Sequence, residues 1–73
     1  MTRNITSPVS GQFLACLVKV GEPVLEDTEV CIIEAMKMHI PVVAEQTGRV
    51  ARWLVVENTT VAEGQALLEL EPI

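Results

Sequence analysis

The strongest constraint on the fold is an internal repeat. Laid against itself at an offset of 37 residues, the 73-residue chain matches without a gap. Turn residues and strand residues both recur, which disfavours coincidence among valine-rich strands. Identical residues stand at Gly11 and Gly48, Leu17 and Leu54, Val18 and Val55, Val24 and Val61, Glu26 and Glu63, and Glu34 and Glu71. Two copies are too few for a solenoid, which needs three or more units. We therefore predict two sheets related by a pseudo-twofold axis.

Each half consists of short apolar runs separated by turn residues, and no stretch has the pattern of a helix. Many short strands with regularly spaced turns are typical of a β-sandwich or a flattened barrel. The predicted fold class is therefore all-β. Strands are predicted at 3–6, 12–18, 29–35, 38–43, 49–56 and 66–71, with a short apolar stub at 24–25 and turns that include 57–60.

Alternation within the strands predicts which side chains form the core. In the last strand glutamates alternate with leucines, so the leucines point inward. Carried across the repeat, this predicts Leu68, Leu70, Cys31 and Ile33 inside, and Glu69, Glu71 and Glu34 outside. Trp53 aligns with Cys16 and is predicted in the core, where its indole N–H needs an acceptor; the alternative is a surface contact. Pro41 lies inside a predicted strand. Because proline has no backbone N–H to donate, we predict that this strand lies at the edge of its sheet or that Pro41 lies at the end of the strand.

Composition limits the chain to one small domain, residues 1–73, with 49% hydrophobic residues to form its core. Its two cysteines, Cys16 and Cys31, lie in apolar runs, which favours buried reduced thiols over a disulfide. With these and a single histidine, no structural metal site is expected. The N-terminus has no apolar segment of a signal peptide, and no run is long enough to span a membrane. We therefore predict a cytoplasmic location.

The charge distribution disfavours nucleic acid as a partner. The net charge is −5, the five basic residues are scattered, and the aromatic residues are limited to Phe13 and Trp53. An acidic surface instead favours solubility and steered encounters with basic protein surfaces.

The segment from Val30 to Val43, VCIIEAMKMHIPVV, predicts a β-hairpin. If its turn has two residues, Met36 and Lys37 form the tip, and Lys37 projects into solvent. Turns of this kind favour Asn-Gly or Asp-Gly, because their backbone adopts positive φ. Met-Lys contradicts that preference, and such local contradictions tend to mark functional sites.

The pentapeptide Glu34-Ala35-Met36-Lys37-Met38 resembles the attachment motif of biotinyl domains. Residues 7–11, Ser-Pro-Val-Ser-Gly, resemble the Ser-Pro-Met-Pro-Gly loop of the same family. Two glycines usual in the family's turns are replaced by Asp27 and Asn58, residue types that tolerate left-handed backbone. The short segment 18–24 leaves no room for the extra "thumb" loop of some carriers, so the resemblance is to the thumbless type.

The resemblance implies a fold and a function. The family's domains are flattened barrels of two four-stranded antiparallel sheets with internal pseudo-symmetry. A biotin protein ligase would join activated biotin to Lys37, and the carrier would take CO₂ at a biotin carboxylase and deliver it at a carboxyltransferase. Met36 and Met38 would set the approach of the lysine to these enzymes, with Ala35 and Glu34 completing the attachment motif. The domain itself would be a non-catalytic carrier.

Two alternatives remain open. A lipoyl carrier has the same fold but usually has Asp-Lys-Ala at the turn. This chain has Met-Lys-Met there, which argues against a lipoyl carrier. An unmodified β-sandwich could instead act as an interaction module, with Lys37 an ordinary exposed lysine and both methionines turn filler.

Overall fold

The computed structural model describes residues 2–73, which form two four-stranded antiparallel sheets. The strands are β1 (Arg3–Thr6), β2 (Gly11–Cys16), β3 (Pro23–Val24), β4 (Glu29–Ala35), β5 (Met38–Val43), β6 (Gly48–Trp53), β7 (Thr59–Val61) and β8 (Ala66–Glu71). One sheet, here called the terminal sheet, has the order β1-β8-β6-β3, and the other, the hairpin sheet, has the order β5-β4-β2-β7. The prediction of an all-β fold with two four-stranded sheets is confirmed.

The strand pairing follows the sequence repeat residue by residue. Gly11 pairs with Val61 in the hairpin sheet, and their repeat equivalents, Gly48 and Val24, pair in the terminal sheet. Each sheet contains two strands from each half of the chain, because β1 and β3 pair with strands of the second half, and β5 and β7 pair with strands of the first half. Neither half can therefore complete a sheet by itself.

Two β-bulges occupy equivalent positions in the repeat and change the burial pattern. Val30 is skipped in the register of β4 with β5, and Leu67 is skipped in the register of β8 with β1. A bulge lets two successive residues face the same side of a sheet. As a result Val30 and Cys31 are both buried, as are Leu67 and Leu68. Simple alternation correctly predicted Leu68, Leu70, Cys31 and Ile33, but it missed the two bulged residues.

The core lies between the sheets and is centred on Phe13, whose side chain is fully buried. The ring of Trp53 meets it edge-on, with 5.7 Å between ring centroids and an interplanar angle of 61°. Trp53 is half-buried at the border of the core, and its indole N–H donates to the Val18 carbonyl at 3.2 Å. The predicted need for an acceptor is confirmed, and part of the ring remains exposed.

Several boundaries differ from the predicted ones. The second and sixth strands end at Cys16 and Trp53, and the chain leaves the sheets at Leu17 and Leu54, which are partly exposed. β7 begins at Thr59, inside a predicted turn, because the pairing with β2 that makes it a strand is not visible locally. Pro41 lies in β5, an edge strand, as predicted.

The two residues that replace family glycines behave differently. Asn58 has φ 69°, which matches Gly21, its repeat equivalent, at φ 91°. Asp27 is not among the residues with positive φ, although its equivalent Gly64 has φ 84°. The expectation of left-handed backbone is thus confirmed for Asn58 and wrong for Asp27. The turn at Asp27 closes without it, through the Thr28 N–H donating to the Leu25 carbonyl at 3.1 Å.

Cys16 and Cys31 lie opposite each other on β2 and β4, and both are free thiols, as predicted. Cys31 is buried as predicted, whereas Cys16 is only half-buried. Burial, followed by the charge of the neighbouring Cys16, raises the pKa of Cys31 from 9.0 to about 12. The pKa of Cys16 is also raised, first by burial and then by the charge of Glu57. Both thiols are therefore neutral and unreactive at neutral pH.

These shifts predict a loss of stability in alkali. The folded state holds its thiol protons to higher pH than the unfolded state, so the free energy of unfolding is unaffected by Cys31 below about pH 9. It should then fall as the pH rises from about 9 toward about 12. Urea unfolding at a series of pH values measures this slope. In Cys31→Ala the slope should be shallower, and equal slopes in the two proteins would contradict the assignment.

Candidate functional site

The candidate site is the tip of the hairpin formed by β4 and β5. Ala35 and Met38 form its last pair, and Met36 and Lys37 make the two-residue turn between them. Their φ angles are 53° and 64°, so both central residues are left-handed, as in a type I′ turn. This confirms the predicted turn. Left-handed backbone costs an ordinary residue about 1–2 kcal/mol, and neither residue here is a glycine or an asparagine.

The side chains at the tip are open to solvent. Met36 is 94% exposed and Met38 is 61% exposed, and Lys37 between them is exposed as well. Within residues 2–73 the single ion pair joins Arg52 to Glu69, at 2.9 Å, on the terminal sheet. No hydrogen bond within that range engages the Lys37 amine. The tip therefore presents a cationic amine between two exposed thioethers.

The other two predicted site residues lie at the base of the ribbon. Glu34 and Ala35 are half-buried. Glu34 is paired with Gln12 of β2 on one side and with His39 of β5 on the other, and both neighbours are exposed. The structure thus separates the pentapeptide into a tip, residues 36–38, and a base, residues 34–35.

The loop at residues 7–11 is fastened beside this base. Ser7 is buried; its carbonyl accepts from the Gly64 N–H at 2.8 Å, and its own N–H donates to the Gln65 carbonyl at 2.9 Å. The Ser10 hydroxyl accepts from the Glu63 N–H at 3.0 Å. These bonds join the loop to the turn before β8 and make the surroundings of the ribbon rigid.

Gly11, at the end of that loop, is a residue whose role the sequence reasoning missed. A Cβ at this position would collide with the carbonyl oxygen of Glu34. The sequence does contain one signal that could have pointed to Gly11, which is its recurrence as Gly48 in the repeat.

The site is a projecting group rather than a cavity. The part of the surface that the structure describes has two open depressions. One is lined by residues near both chain termini together with residues 46–47, and the other by residues within 53–65. Neither depression includes a residue of the pentapeptide. Within residues 2–73 there is no cluster of three or more potential metal-ligating side chains, and no helix that could cross a bilayer.

Comparison with known proteins identifies the family. A family model described as "Biotin-requiring enzyme", for biotin and lipoyl attachment, matches residues 3–70. The chain belongs to this biotin/lipoyl attachment family. The family predicted from the pentapeptide is thereby confirmed.

Three relatives show how the domain is used in other proteins. The mitochondrial propionyl-CoA carboxylase alpha chain of Homo sapiens is 43% identical over 67 residues, which cover 92% of this chain and 9% of the relative. The biotin/lipoyl attachment protein of Bacillus subtilis is 38% identical over 67 residues, 92% of each chain. The biotin carboxyl carrier protein of acetyl-CoA carboxylase from Chlamydia trachomatis is 37% identical over 73 residues, covering 90% of this chain and 44% of the relative.

A solved structure shows the same fold. The urea carboxylase of Kluyveromyces lactis superposes with a TM-score of 0.91 at 28% identity, over 97% of this chain and 6% of the other. This chain thus spans a small part of some relatives and nearly all of another. The relative from Chlamydia trachomatis is named as a biotin carboxyl carrier protein, and the matching family model is described as biotin-requiring.

The strained turn predicts that asparagine at position 36 stabilises the domain. Asn tolerates left-handed backbone, so Met36→Asn should raise the free energy of unfolding by about 0.5–1 kcal/mol and the Tm by a few degrees. Thermal unfolding followed by circular dichroism measures the change. Met38→Asn is the matched control, because Met38 is also exposed but lies in a strand without positive φ and should gain nothing. A loss of stability in Met36→Asn would show that the left-handed turn is not a source of strain.

Proposed function

We propose that Lys37 is the covalent attachment point for biotin and that this domain carries the cofactor between the active sites of a biotin-dependent carboxylase. The supporting observation is the placement of Lys37 at a left-handed turn, with φ 64°, where its exposed side chain projects from the end of the paired strands β4 and β5. A lysine that must enter the active sites of other proteins needs both exposure and a fixed support.

The residues present fit biotin as a covalent group. The Lys37 amine needs no rearrangement of the described residues to become accessible. It would attack the carboxyl carbon of biotinyl-adenylate; an amide N–C bond forms, AMP leaves, and the amine gives up its protons to the surrounding solvent or the ligase. Loss of this positive charge takes the net charge from −5 to −6. When bound, biotin carries a carboxyl group from one active site to another.

The domain contributes presentation rather than catalysis. Glu34 and His39, the titratable residues nearest Lys37 in the hairpin, oppose each other across β4 and β5 on the ribbon below the tip. Met36 and Met38 flank the amine with exposed, flexible apolar side chains that can adapt to different partners. We infer three partners in turn: a biotin protein ligase, a biotin carboxylase and a carboxyltransferase. Tethering holds the cofactor at an effective concentration on the order of mM near each site.

A lipoyl carrier is the second candidate. It is favoured by the relative from Bacillus subtilis, which this chain matches over 92% of its length and whose name includes both cofactors. The same lysine would serve, because an exposed amine at a turn is equally suited to either acyl group. At the level of this domain, the two candidates differ in the acid attached to Lys37.

The test uses the two lysines of the chain, Lys37 and Lys19, both of which are exposed. Wild-type protein is incubated with a biotin protein ligase, biotin and ATP, and in a parallel reaction with a lipoate ligase, lipoate and ATP. We expect one biotinyl group by intact mass, located at residue 37 by fragmentation, and faster migration toward the anode in native electrophoresis. Lys37→Arg keeps the charge but should abolish the modification, whereas Lys19→Arg should be modified at the wild-type rate.

Each other result has a definite meaning. Modification by lipoate but not by biotin would show that the domain is a lipoyl carrier and not a biotin carrier. Labelling that persists in Lys37→Arg and disappears in Lys19→Arg would place the attachment site at Lys19 instead of Lys37. Absence of both modifications in the wild-type protein, under conditions where the ligases modify a known carrier, would leave an unmodified interaction module.

A further inference from the structure

The backbone of Gly11 lies close against the backbone of β4 at Glu34. A Cβ atom built on Gly11 would fall well inside 3.0 Å of the Glu34 carbonyl oxygen, with the Ile33 Cγ2 atom at 3.1 Å. The oxygen belongs to the backbone, so no side-chain rotation can relieve the collision. Any larger residue at position 11 must displace β4, or be displaced from it.

This contact lies at the point where the ribbon leaves the barrel. β2 begins at Gly11, and the last pair between β2 and β4 is Gln12 with Glu34. Beyond that pair, β4 continues to Ala35 with β5 as its strand partner. The approach of Gly11 to Glu34 is therefore the last close strand contact before the tip. Lys37 follows three residues later, after the last residue of β4 and within the two-residue turn.

We propose that Gly11 is a positioning residue for Lys37, an inference that rests on the proposed carrier function. Its missing side chain lets β4 lie directly against the start of β2, and this fixes the direction in which the β4–β5 ribbon projects. A side chain at position 11 tilts the ribbon about Glu34. The small movement at the base becomes a larger displacement of the Lys37 amine at the tip.

The repeat supplies a matched control at the other end of the molecule. A Cβ on Gly48 would lie 2.9 Å from the Glu71 carbonyl oxygen and 3.3 Å from the Leu70 Cβ atom. β8 begins beside Thr6, close to the hairpin end, and runs away from that end to Glu71. Gly48→Ala thus creates the same kind of backbone collision, but far from Lys37.

The two glycines also share their role in the fold, which makes the comparison clean. Gly11 pairs with Val61 and Gly48 with Val24, so each joins the two halves of the chain. The clash is more severe at Gly11, so a purely structural role predicts less folded protein in Gly11→Ala than in Gly48→Ala, but an unchanged rate for each folded molecule of both variants. A positioning role predicts that only Gly11→Ala changes the behaviour of the lysine.

The experiment compares wild type, Gly11→Ala and Gly48→Ala as substrates of a biotin protein ligase. Initial rates are measured over a range of carrier concentrations and corrected for the folded fraction. We expect Gly11→Ala to lower kcat/KM about tenfold, mainly through kcat, because a displaced nucleophile binds but does not reach the attack distance. Gly48→Ala should stay within about twofold of wild type.

A second measurement does not depend on any ligase. Backbone amide chemical shifts of residues 35–38 should change in Gly11→Ala and stay the same in Gly48→Ala. If wild-type protein were not biotinylated, the proposed function would fail, while these shifts would still decide whether Gly11 directs the ribbon. Equal rates in all three proteins, equal losses in both variants, or unchanged shifts at residues 35–38 would each overturn the positioning role.

Folding of the variant is controlled separately. If Gly11→Ala is partly unfolded, trimethylamine N-oxide is added to both variants to favour the compact state before the rates are compared. A Gly11→Ala protein that stays unfolded under these conditions, while Gly48→Ala folds, would show that Gly11 serves the whole barrel, and the proposal would be wrong.

Discussion

The pairing of β4 with β5 is the interaction on which the site depends. It continues to Ala35 and Met38, leaving two residues to reverse the chain. A two-residue connection with the twist of a β-ribbon requires left-handed backbone, so Met36 and Lys37 adopt it against their own preference. The pairing of β4 with β5 therefore supplies the energy that holds the backbone of Lys37 in an unfavourable conformation. The backbone of a tip held in this way has few alternative conformations.

The sequence was informative about the fold because the repeat appears in both apolar and turn residues. The offset of 37 predicted the pseudo-twofold relation, and the strand registers reproduce it. The bulges at Val30 and Leu67 were not predictable, because a bulge is a choice of register between two strands and leaves no mark in either one alone. β7 was missed for a related reason: its polar residues become a strand only through pairing with β2.

For the site, the motif was sufficient to identify the lysine and its turn. Two-residue hairpins are local structures, so flanking strands and a short connection predict them well. The division of the pentapeptide into a tip and a base was not predictable, because it depends on where β2 ends beside β4. The contact of Gly11 with Glu34 joins residues far apart in the chain, and a glycine in sequence does not say which backbone approaches it.

The pairing of strands across the two halves has a consequence for synthesis of the chain. β1 pairs with β8, and β2 pairs with β7, so both sheets join early residues to late ones. Contacts of this range form only when the intervening chain has been made. Without β8, the inner faces of Phe13 and Ile33 would lose the leucines of the opposite sheet. A firmly supported lysine therefore requires all eight strands, β1 to β8, and a chain interrupted before β8 would not present the lysine to a modifying enzyme in the same way.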